Sequence, residues 1–240
     1  MKSNESLNGV LLLDKESAMT SHDAVAMLRR ALGIKKIGHC GTLDPLATGL
    51  LILTIGRGTK IQDLLMSEDK EYTGTIRLGE KTDTQDSDGN ITETLPVPDF
   101  TDEQICTAFD KYRGDFYQTP PMVSAIKKDG VPLYKLARQG KEVKREPRFV
   151  HVYGYKIEQI RLPEIDFVVS CSKGFYVRTY AFDIGSELGC GAHLKALRRT
   201  RSGKFHVDNA IPIDALRNPD LDFLHSKIIS LPEVSRLRGA

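Results

Sequence analysis

The order of apolar patterns along this chain constrains its fold more than any other feature. Gly9–Leu13 and Glu71–Leu78 have the character of strands, the first almost wholly aliphatic and the second alternating. Between them we expect a helix, because Thr20 and Asp23 can form a capping box and Gly33 follows the last helical turn. Strand and helix patterns do not alternate as regular βαβ units. We therefore expect an α+β fold with a mixed, largely antiparallel central sheet flanked by helices.

The middle of the chain contains a long interruption between regular elements. Thr101 and Gln104 form a second potential capping box before a helix, and Phe149–Ile160 and Ile165–Ser172 have strand patterns. Between these elements, Gln118–Arg148 is broken repeatedly by proline and glycine. Insertions of that length are commonly functional or mobile, so we expect a loop that leaves the core.

Weaker patterns predict the other elements. Glu80–Pro98 is rich in Asp, Thr, Gly and Pro, and we expect a loop with at most a short strand around Ile91. Phe182–Leu188 is a predicted helix. Near the end of the chain we expect short helices around Pro212–Leu216 and Phe223–Ile229.

Charge is distributed unevenly along a chain whose net charge is only +2. Residues 127–150 contain eight Lys or Arg against three acids, and residues 195–204 contain five basic residues and no acid. Residues 80–103 contain eight acids against one lysine. A near-neutral total can therefore conceal a surface that binds a polyanion, although ordinary solvated surface explains the same counts equally well.

Composition also restricts the class of protein. No apolar run approaches the roughly 20 residues of a membrane-spanning helix, and the N-terminus has no signal-peptide pattern. We therefore expect a cytoplasmic protein. The cysteines are scattered without a CxxC pair, which is typical of reduced thiols and not of a zinc site, so we expect neither a metal nor a cofactor. They are Cys40, Cys106, Cys171 and Cys190.

The segment Gly38–Gly49 is the first candidate for chemistry. Its glycines permit tight turns and close approach of a ligand, and Pro45 restricts the backbone of Asp44 to extended or turn geometry. A carboxylate fixed in this way can act as a nucleophile or a base, although Asp before Pro is also an ordinary turn. The GxxxxGK[ST] motif of a phosphate-binding loop is absent, and Gly56–Lys60 is only a superficial match to it.

This run resembles the catalytic signature of the TruB family, the tRNA pseudouridine-55 synthases. It matches the family pattern GHxGTLDPxAxG at every fixed position. Later segments resemble further motifs of the family in the same order, and the resemblance covers about residues 8–207. These segments are Lys70–Tyr72, Gln118–Gly140, Ser172–Thr179 and Gly191–Arg199.

The resemblance implies a pseudouridine synthase fold in which a thumb loop, inserted at about residues 118–148, clasps RNA. Asp44 would be the carboxylate that initiates breakage of the uridine glycosidic bond. Whether it acts as a nucleophile at C6 or C1′ or as a base stays open. Arg178 would pair with Asp44 and keep it ionised, because a nearby opposite charge favours the charged form. Without the resemblance, Arg178 is simply an arginine in a predicted strand.

Four further residues would form the uridine pocket. The resemblance implies that Tyr72 stacks on the target base, that His39 fills the gap left when the base leaves the RNA helix, and that Tyr176 and Leu197 line the pocket. Taken alone, Tyr72, Tyr176 and Leu197 are typical core residues, and His39 is typical of a satisfied loop histidine.

The implied substrate is uridine 55 in the T loop of tRNA. A stacked uridine must be extruded before its atoms can be reached, and the thumb lysines Lys127 and Lys128 would contact RNA phosphates. Lys15 would be a structural lysine near the site. The isomerisation needs no redox partner or group donor. We therefore expect a monomer that acts on the T arm of tRNA without a cofactor, a metal or a protein partner.

Two departures from the family pattern affect the domain organisation and one loop. The family usually has proline directly after the lysine at Lys15 and glycine two residues later, whereas this chain has Glu16 and Ala18. After Val207 only 33 residues remain, too few for the PUA RNA-binding domain common in bacterial members. We expect a catalytic domain at residues 1–207 and a short extension at residues 208–240.

Two other functions fit some of these features. A non-catalytic RNA-binding or tRNA-folding module would use Asp44 only as a turn residue. A nucleotide-binding enzyme would use the glycine-rich segment to hold a nucleoside triphosphate.

Overall fold

A computed structural model describes residues 7–128, 130–137 and 139–239. The described residues form two compact units. The first contains those up to Glu71 together with those from Arg198 onward, and the second is Tyr72–Leu197. No helix in the described ranges is long and apolar enough to cross a membrane.

The elements have the following bounds. The helices are α1 (Ser21–Leu32), α2 (Gln62–Met66), α3 (Asp102–Asp110), α4 (Leu133–Ala137), α5 (Val177–Glu187), α6 (Asp214–Arg217), α7 (Leu221–Ser226) and α8 (Leu231–Arg238). The strands are β1 (Gly9–Lys15), β2 (Ile37–Cys40), β3 (Thr48–Ile55), β4 (Lys70–Leu78), β5 (Glu80–Thr82), β6 (Ile91–Thr94), β7 (Gly114–Gln118), β8 (Lys127–Lys128), β9 (Val131–Pro132), β10 (Arg148–Arg161), β11 (Glu164–Cys171), β12 (Ala192–Ser202), β13 (Phe205–His206), β14 (Ile211–Pro212) and β15 (Ile229–Ser230).

The sheet of the first unit is built around two aliphatic strands. β1 and β3 are antiparallel over their whole length, from Gly9 opposite Ile55 to Lys15 opposite Gly49. β2 is antiparallel to β3 over Ile52–Ile55, and β14 pairs in parallel with β1. Seven of the eight residues of β3 are buried, as expected for the most apolar strand of the chain.

Helix α1 confirms the prediction made from its caps. Thr20 and Asp23 form the capping box, and Gly33 ends the helix in the left-handed conformation with φ of +66°. Val25 and Leu28 are buried one turn apart. This periodicity fixes the face that α1 turns to the core.

The second unit has the sheet order β4-β11-β10-β7. Strand β11 alternates strictly between buried and partly exposed residues, so one of its faces lies in the core. Phe167 from that face contacts Phe109 of α3 and Tyr180 of α5, with ring centroids 5.9 and 6.0 Å away. The capping box of α3 at Thr101 and Gln104 is present as predicted.

Two predicted loops contain more regular structure than expected. The acidic stretch forms a two-stranded hairpin of β5 with β6. The thumb loop contains the β8–β9 hairpin followed by α4. Both hairpins are short and polar, and such elements have weak periodicity in the sequence.

The prediction that Arg178 lies in a strand is wrong, because Arg178 is in the first turn of α5. Residues 175–180 are rich in aromatic and β-branched side chains, a composition typical of strands. Tertiary packing overrides that preference, since Tyr180, Ala181 and Ile184 are fully buried at helical spacing.

The end of the chain belongs to the first compact unit. β14 pairs with β1 at Leu13 opposite Ile211, and β15 pairs with β1 at Val10 opposite Ile229. Short helices are present here as predicted, together with α8, which the sequence analysis did not predict. The domain boundary at residue 207 stays a prediction.

Candidate active site

Asp44 lies in the loop between β2 and β3, and the residue before it is held at both main-chain groups. The Ser21 hydroxyl accepts the Leu43 N–H at 2.9 Å and donates to the Leu43 carbonyl at 3.2 Å. Ser21 is buried, while the side chain of Asp44 is only partly buried. The Asp44 carbonyl accepts the Ala47 N–H at 3.1 Å and closes a tight turn. The backbone therefore fixes the direction of the Cα–Cβ bond of Asp44, from which the carboxylate extends.

The residue after Asp44 is held by the loop that follows β1. The fully buried Lys15 donates from Nζ to the carbonyls of Glu16 and Met19 at 2.7 and 2.9 Å, and lies 3.5 Å from the Pro45 carbonyl. The Ala18 N–H donates to the same Pro45 carbonyl at 2.9 Å. Lys15 thus satisfies main-chain carbonyls of the loop after β1 and lies against that of Pro45, and its role near the site stays a prediction.

Ala18 is one of the two departures from the family pattern, and its backbone conformation shows what the usual glycine provides. Its φ is +59°, in the left-handed region that favours glycine, and it stands where the family usually has glycine. The loop keeps a left-handed backbone at this position although the side chain is alanine.

Arg199 ties together the two ends of the Asp44 loop. Its buried guanidinium donates to the Leu50 carbonyl at 2.7 Å and to the Gly41 carbonyl at 3.2 Å. Gly49 is required because a Cβ there would lie 2.3 Å from the Arg199 carbonyl oxygen. The sequence does not reveal this role, because Arg199 lies in the second basic run, residues 195–204, whose composition equally fits a polyanion-binding surface or ordinary solvated surface. The available signal was that Arg198 and Arg199 must point to opposite faces of a strand.

Two other cations of residues 195–204 form intramolecular ion pairs. Arg198 forms a bidentate pair with Asp14 at 2.9 and 2.7 Å, and Lys195 pairs with Glu164. These contacts leave the run less free to bind phosphates than its composition suggests.

His39 precedes the loop and is held in its neutral form. Burial, with smaller contributions from His22 and Arg199, lowers the pKa of His39 to about 4. Its Nδ1 is buried and has no hydrogen-bond partner among the described residues, and its ring meets His22 edge-on at 5.2 Å. At neutral pH His39 therefore presents an uncharged aromatic ring and not a cation.

Cys40 is excluded as a nucleophile. Burial raises the pKa of its thiol to about 12, so the reactive thiolate is scarcely populated at neutral pH. Within the described ranges, no group of three or more His, Cys, Asp or Glu side chains is placed to hold a metal ion.

In the second unit, Arg178 connects α5 to two loops. Its guanidinium donates to the carbonyls of Thr84 and Val123 at 2.8 and 2.7 Å, and its Nε lies 3.5 Å from the Asp86 carboxylate. Arg178 and Asp86 are both buried. Sequence analysis missed Asp86, because one buried acid cannot be distinguished from the exposed acids around it. The pairing expected between Arg178 and Asp44 stays a prediction.

Tyr176 is partly buried and precedes α5, where Gln118 fixes its backbone. The buried Gln118 side chain accepts the Tyr176 N–H at 2.8 Å and donates to the Tyr176 carbonyl at 3.1 Å. Gln118 is the last residue of β7 and the first of the thumb loop. Tyr72 on β4 and Leu197 on β12 are each 9% exposed, which fits either a core residue or the wall of a pocket.

The thumb lysines are available to solvent. Lys127 and Lys128 are exposed on β8, and Lys128 donates to the Lys144 carbonyl at 3.2 Å. Lys127 and Lys128 are therefore accessible cations. Their contact with phosphates stays a prediction.

Comparison with known proteins supports one family over nearly the whole chain. Residues 29–177 match the TruB family pseudouridylate synthase (N terminal domain), and residues 178–221 match the tRNA pseudouridylate synthase B C-terminal domain. A protein of Opitutus terrae named tRNA pseudouridine synthase B is 56% identical, over 93% of this chain and 92% of its own length. One of the same name from Syntrophotalea carbinolica is 49% identical, over 88% of this chain and 69% of its own length.

Solved structures agree with these sequence matches. A chain from the "Crystal Structure of a Cbf5-Nop10-Gar1 Complex" superposes with a TM-score of 0.73 at 27% identity, over 95% of this chain. The present chain spans 62% of that longer chain. The likeness supports the expected α+β pseudouridine synthase fold, with its mixed sheet and flanking helices. From the signature around Asp44, these matches and this fold, it follows that the chain belongs to the TruB family of pseudouridylate synthases, which are isomerases.

Proposed function

We propose that this protein isomerises uridine 55 in the T loop of tRNA to pseudouridine, with Asp44 as the essential carboxylate. Relatives that match most of this chain are named tRNA pseudouridine synthase B, which supports tRNA as the substrate. The observation that carries the role of Asp44 is the fixed backbone around it. Ser21 holds the residue before it and Lys15 lies against the residue after it, inside the segment that matches the family signature.

The reaction suits a carboxylate whose backbone is held on both sides. The reaction breaks the N1–C1′ bond, turns the base, forms a C5–C1′ bond, releases the C5 proton and protonates N1. It therefore conserves the oxidation state and needs no group donor. A carboxylate that is partly buried and fixed by its backbone is preorganised for attack at C6 or C1′, or for proton abstraction from the sugar.

The base must leave the T loop before any of these steps, at a cost of a few kcal/mol. In this proposal Tyr72 stacks on the extruded base, and Tyr176 and Leu197 line its pocket. His39, neutral at physiological pH, occupies the space that the base vacates. Arg178 retains the proposed role of keeping Asp44 ionised.

The thumb provides the electrostatic part of binding. The exposed Lys127 and Lys128 would contact phosphates of the T arm, with other cations of the same loop. We further propose that the protein acts as a cytoplasmic monomer without a protein partner. Sedimentation of the active protein during turnover tests that state.

Mapping of the modified position tests the proposal. A T-arm RNA incubated with the protein should acquire one pseudouridine, at position 55, detected by chemical mapping and by release of tritium from C5. The same RNA with cytidine at position 55 should remain unmodified. Modification only at another uridine would contradict the proposed specificity, and tight binding without any tritium release would favour the non-catalytic RNA-binding function.

A further inference from the structure

One face of strands β7 and β10 exposes three large aromatic side chains. Tyr117 is 72% exposed, Phe149 60% and Tyr153 51%. Isolated exposed aromatic residues are common, but a contiguous exposed patch usually marks a binding surface. This patch is separate in sequence from the Asp44 loop and from the proposed pocket residues.

The pairing register brings these side chains together. Phe149 lies opposite Tyr117, and their rings meet edge-to-face with centroids 5.6 Å apart. His151, opposite Asp115, has its ring centroid 4.5 Å from that of Tyr153. Because side chains alternate along a strand, Asp115, Tyr117, Phe149 and His151 share one face, while Phe116 and Val150 face the core. Tyr153 lies where a bulge interrupts the pairing of β10 with β11, and its ring contact with His151 places it beside that face.

The imidazole of His151 on this face is held in place by hydrogen bonds. His151 Nδ1 lies 2.7 Å from the Asp115 carboxylate, so the carboxylate orients the imidazole beside the Tyr153 ring. His151 also exchanges main-chain hydrogen bonds with Ser172, its N–H donating to Ser172 Oγ and its carbonyl accepting the Ser172 N–H. The face is therefore a rigid surface supported by the sheet and not a mobile loop.

Positive charge adjoins the aromatic face. The thumb loop, with Lys127 and Lys128 exposed on β8, joins the ends of β7 and β10 next to Tyr117 and Phe149. The exposed Lys173 directly follows Ser172, which is bound to His151. The same two strands lead into the thumb loop, in which basic residues outnumber acids.

Exposed aromatic rings on a rigid sheet, with cations beside them, are the elements with which proteins bind unpaired nucleotides. Bases stack on the rings, and Arg or Lys side chains bind the adjoining phosphates. The adjoining thumb loop contains more basic than acidic residues, which complements the phosphates of RNA and favours RNA as the occupant of this face.

We infer that Tyr117, Phe149 and Tyr153 form a stacking platform for unpaired bases of the RNA substrate, a contact surface additional to the Asp44 loop. The inference rests on the proposed function, because its occupant is the same tRNA. Lys173 and cations of the thumb loop bind the phosphates of the stacked nucleotides. The platform anchors the RNA and takes no part in the chemical step.

Binding measurements with platform variants test the inference. Tyr117→Ala and Phe149→Ala should each raise the Kd for unmodified tRNA by about 5- to 150-fold, the range for loss of one stacked base. Phe223→Ala is the matched control, since Phe223 is an exposed phenylalanine on α7, and its Kd should equal that of the wild type. Equal affinity of the wild type and both platform variants would overturn the platform while leaving the proposed function intact. A wild-type protein that does not bind tRNA would overturn both.

A fluorescence measurement gives an independent readout, because the chain contains no tryptophan. Phe149→Trp places a single reporter on the platform, and saturating tRNA should quench its emission, whereas Phe223→Trp should be unaffected. Unquenched emission from Phe149→Trp with tRNA bound would contradict stacking. Loss of self-association in Tyr117→Ala, at unchanged tRNA affinity, would assign the face to contact between two copies and overturn the inference.

Discussion

Ser21 holds the residue that precedes the proposed catalytic carboxylate. The single buried hydroxyl of Ser21 accepts the Leu43 N–H and donates to the Leu43 carbonyl. Fixing a reacting group in this way lowers the barrier by ordering it before the reaction, and a misplacement of about 1 Å can cost roughly 100-fold in rate. Ser21 is therefore a positioning residue for Asp44.

Ser21→Ala should lower kcat by about 10- to 100-fold while the Kd for tRNA stays within about twofold of the wild type. It should also cost about 1–3 kcal/mol of unfolding free energy, because the Leu43 groups lose their partner. Thr20→Ala is the control, since it removes the adjacent helix cap at about 1 kcal/mol without touching Leu43. Equal kcat for the two variants, measured by tritium release, would mean that Ser21 acts only on stability.

Ala18 carries a conformational cost that glycine would remove. Ala18→Gly should raise the free energy of unfolding by about 0.5–1 kcal/mol, because the left-handed backbone disfavours a Cβ by more than glycine loses in entropy. Urea denaturation measures this change. Ala26→Gly, at an exposed position in the middle of α1, should lower the same quantity by about 1 kcal/mol. A loss of stability in Ala18→Gly would contradict the proposed strain.

The sequence predicts the residues of the site unevenly. Asp44 could be proposed as the catalytic residue because a long contiguous motif surrounds it. Arg199 and Asp86 could not, because their roles depend on burial and on partners far along the chain. Both lie in highly charged runs, in which local composition does not distinguish a buried residue from the exposed ones.

At the scale of single elements, local signals predicted where helices α1 and α3 begin. The boxes at Thr20 and Thr101 are both present, since a cap is formed by residues three positions apart. Helix α5 begins five residues before its predicted start at Phe182, because packing of Tyr180 overrides a strand-like composition. The β8–β9 hairpin was missed for lack of a periodic apolar pattern.

The thumb loop provides a prediction about salt. Replacing Lys127, Lys128 and Lys144 with Ala should reduce the slope of log Kd against log salt by about one unit per lysine, because each phosphate contact releases counterions. A control with Lys111, Lys156 and Lys227 replaced by Ala removes the same charge outside the thumb and should keep the slope. An unchanged slope in the thumb variant would count against phosphate binding by this loop.

At the scale of the whole molecule, two long-range strand pairings determine the organisation. β12 runs parallel to β3 at Arg198 and Arg199, and β14 runs parallel to β1, so the end of the chain belongs to the first compact unit. Local patterns gave the α+β class but not these pairings, because the paired residues are about 150 or more positions apart. The pairing of β12 with β3 places Arg199 beside the Asp44 loop, where it donates to the Gly41 carbonyl.

The central claim is that Asp44 carries out the chemistry, and one comparison tests it most directly. Wild type, Asp44→Asn and the exposed control Asp99→Asn should be assayed in parallel for pseudouridine formation in T-arm RNA, with Kd measured for each. The account predicts that Asp44→Asn has no detectable turnover at an affinity close to that of the wild type, and that Asp99→Asn is fully active. Turnover by Asp44→Asn comparable to that of the wild type would contradict it.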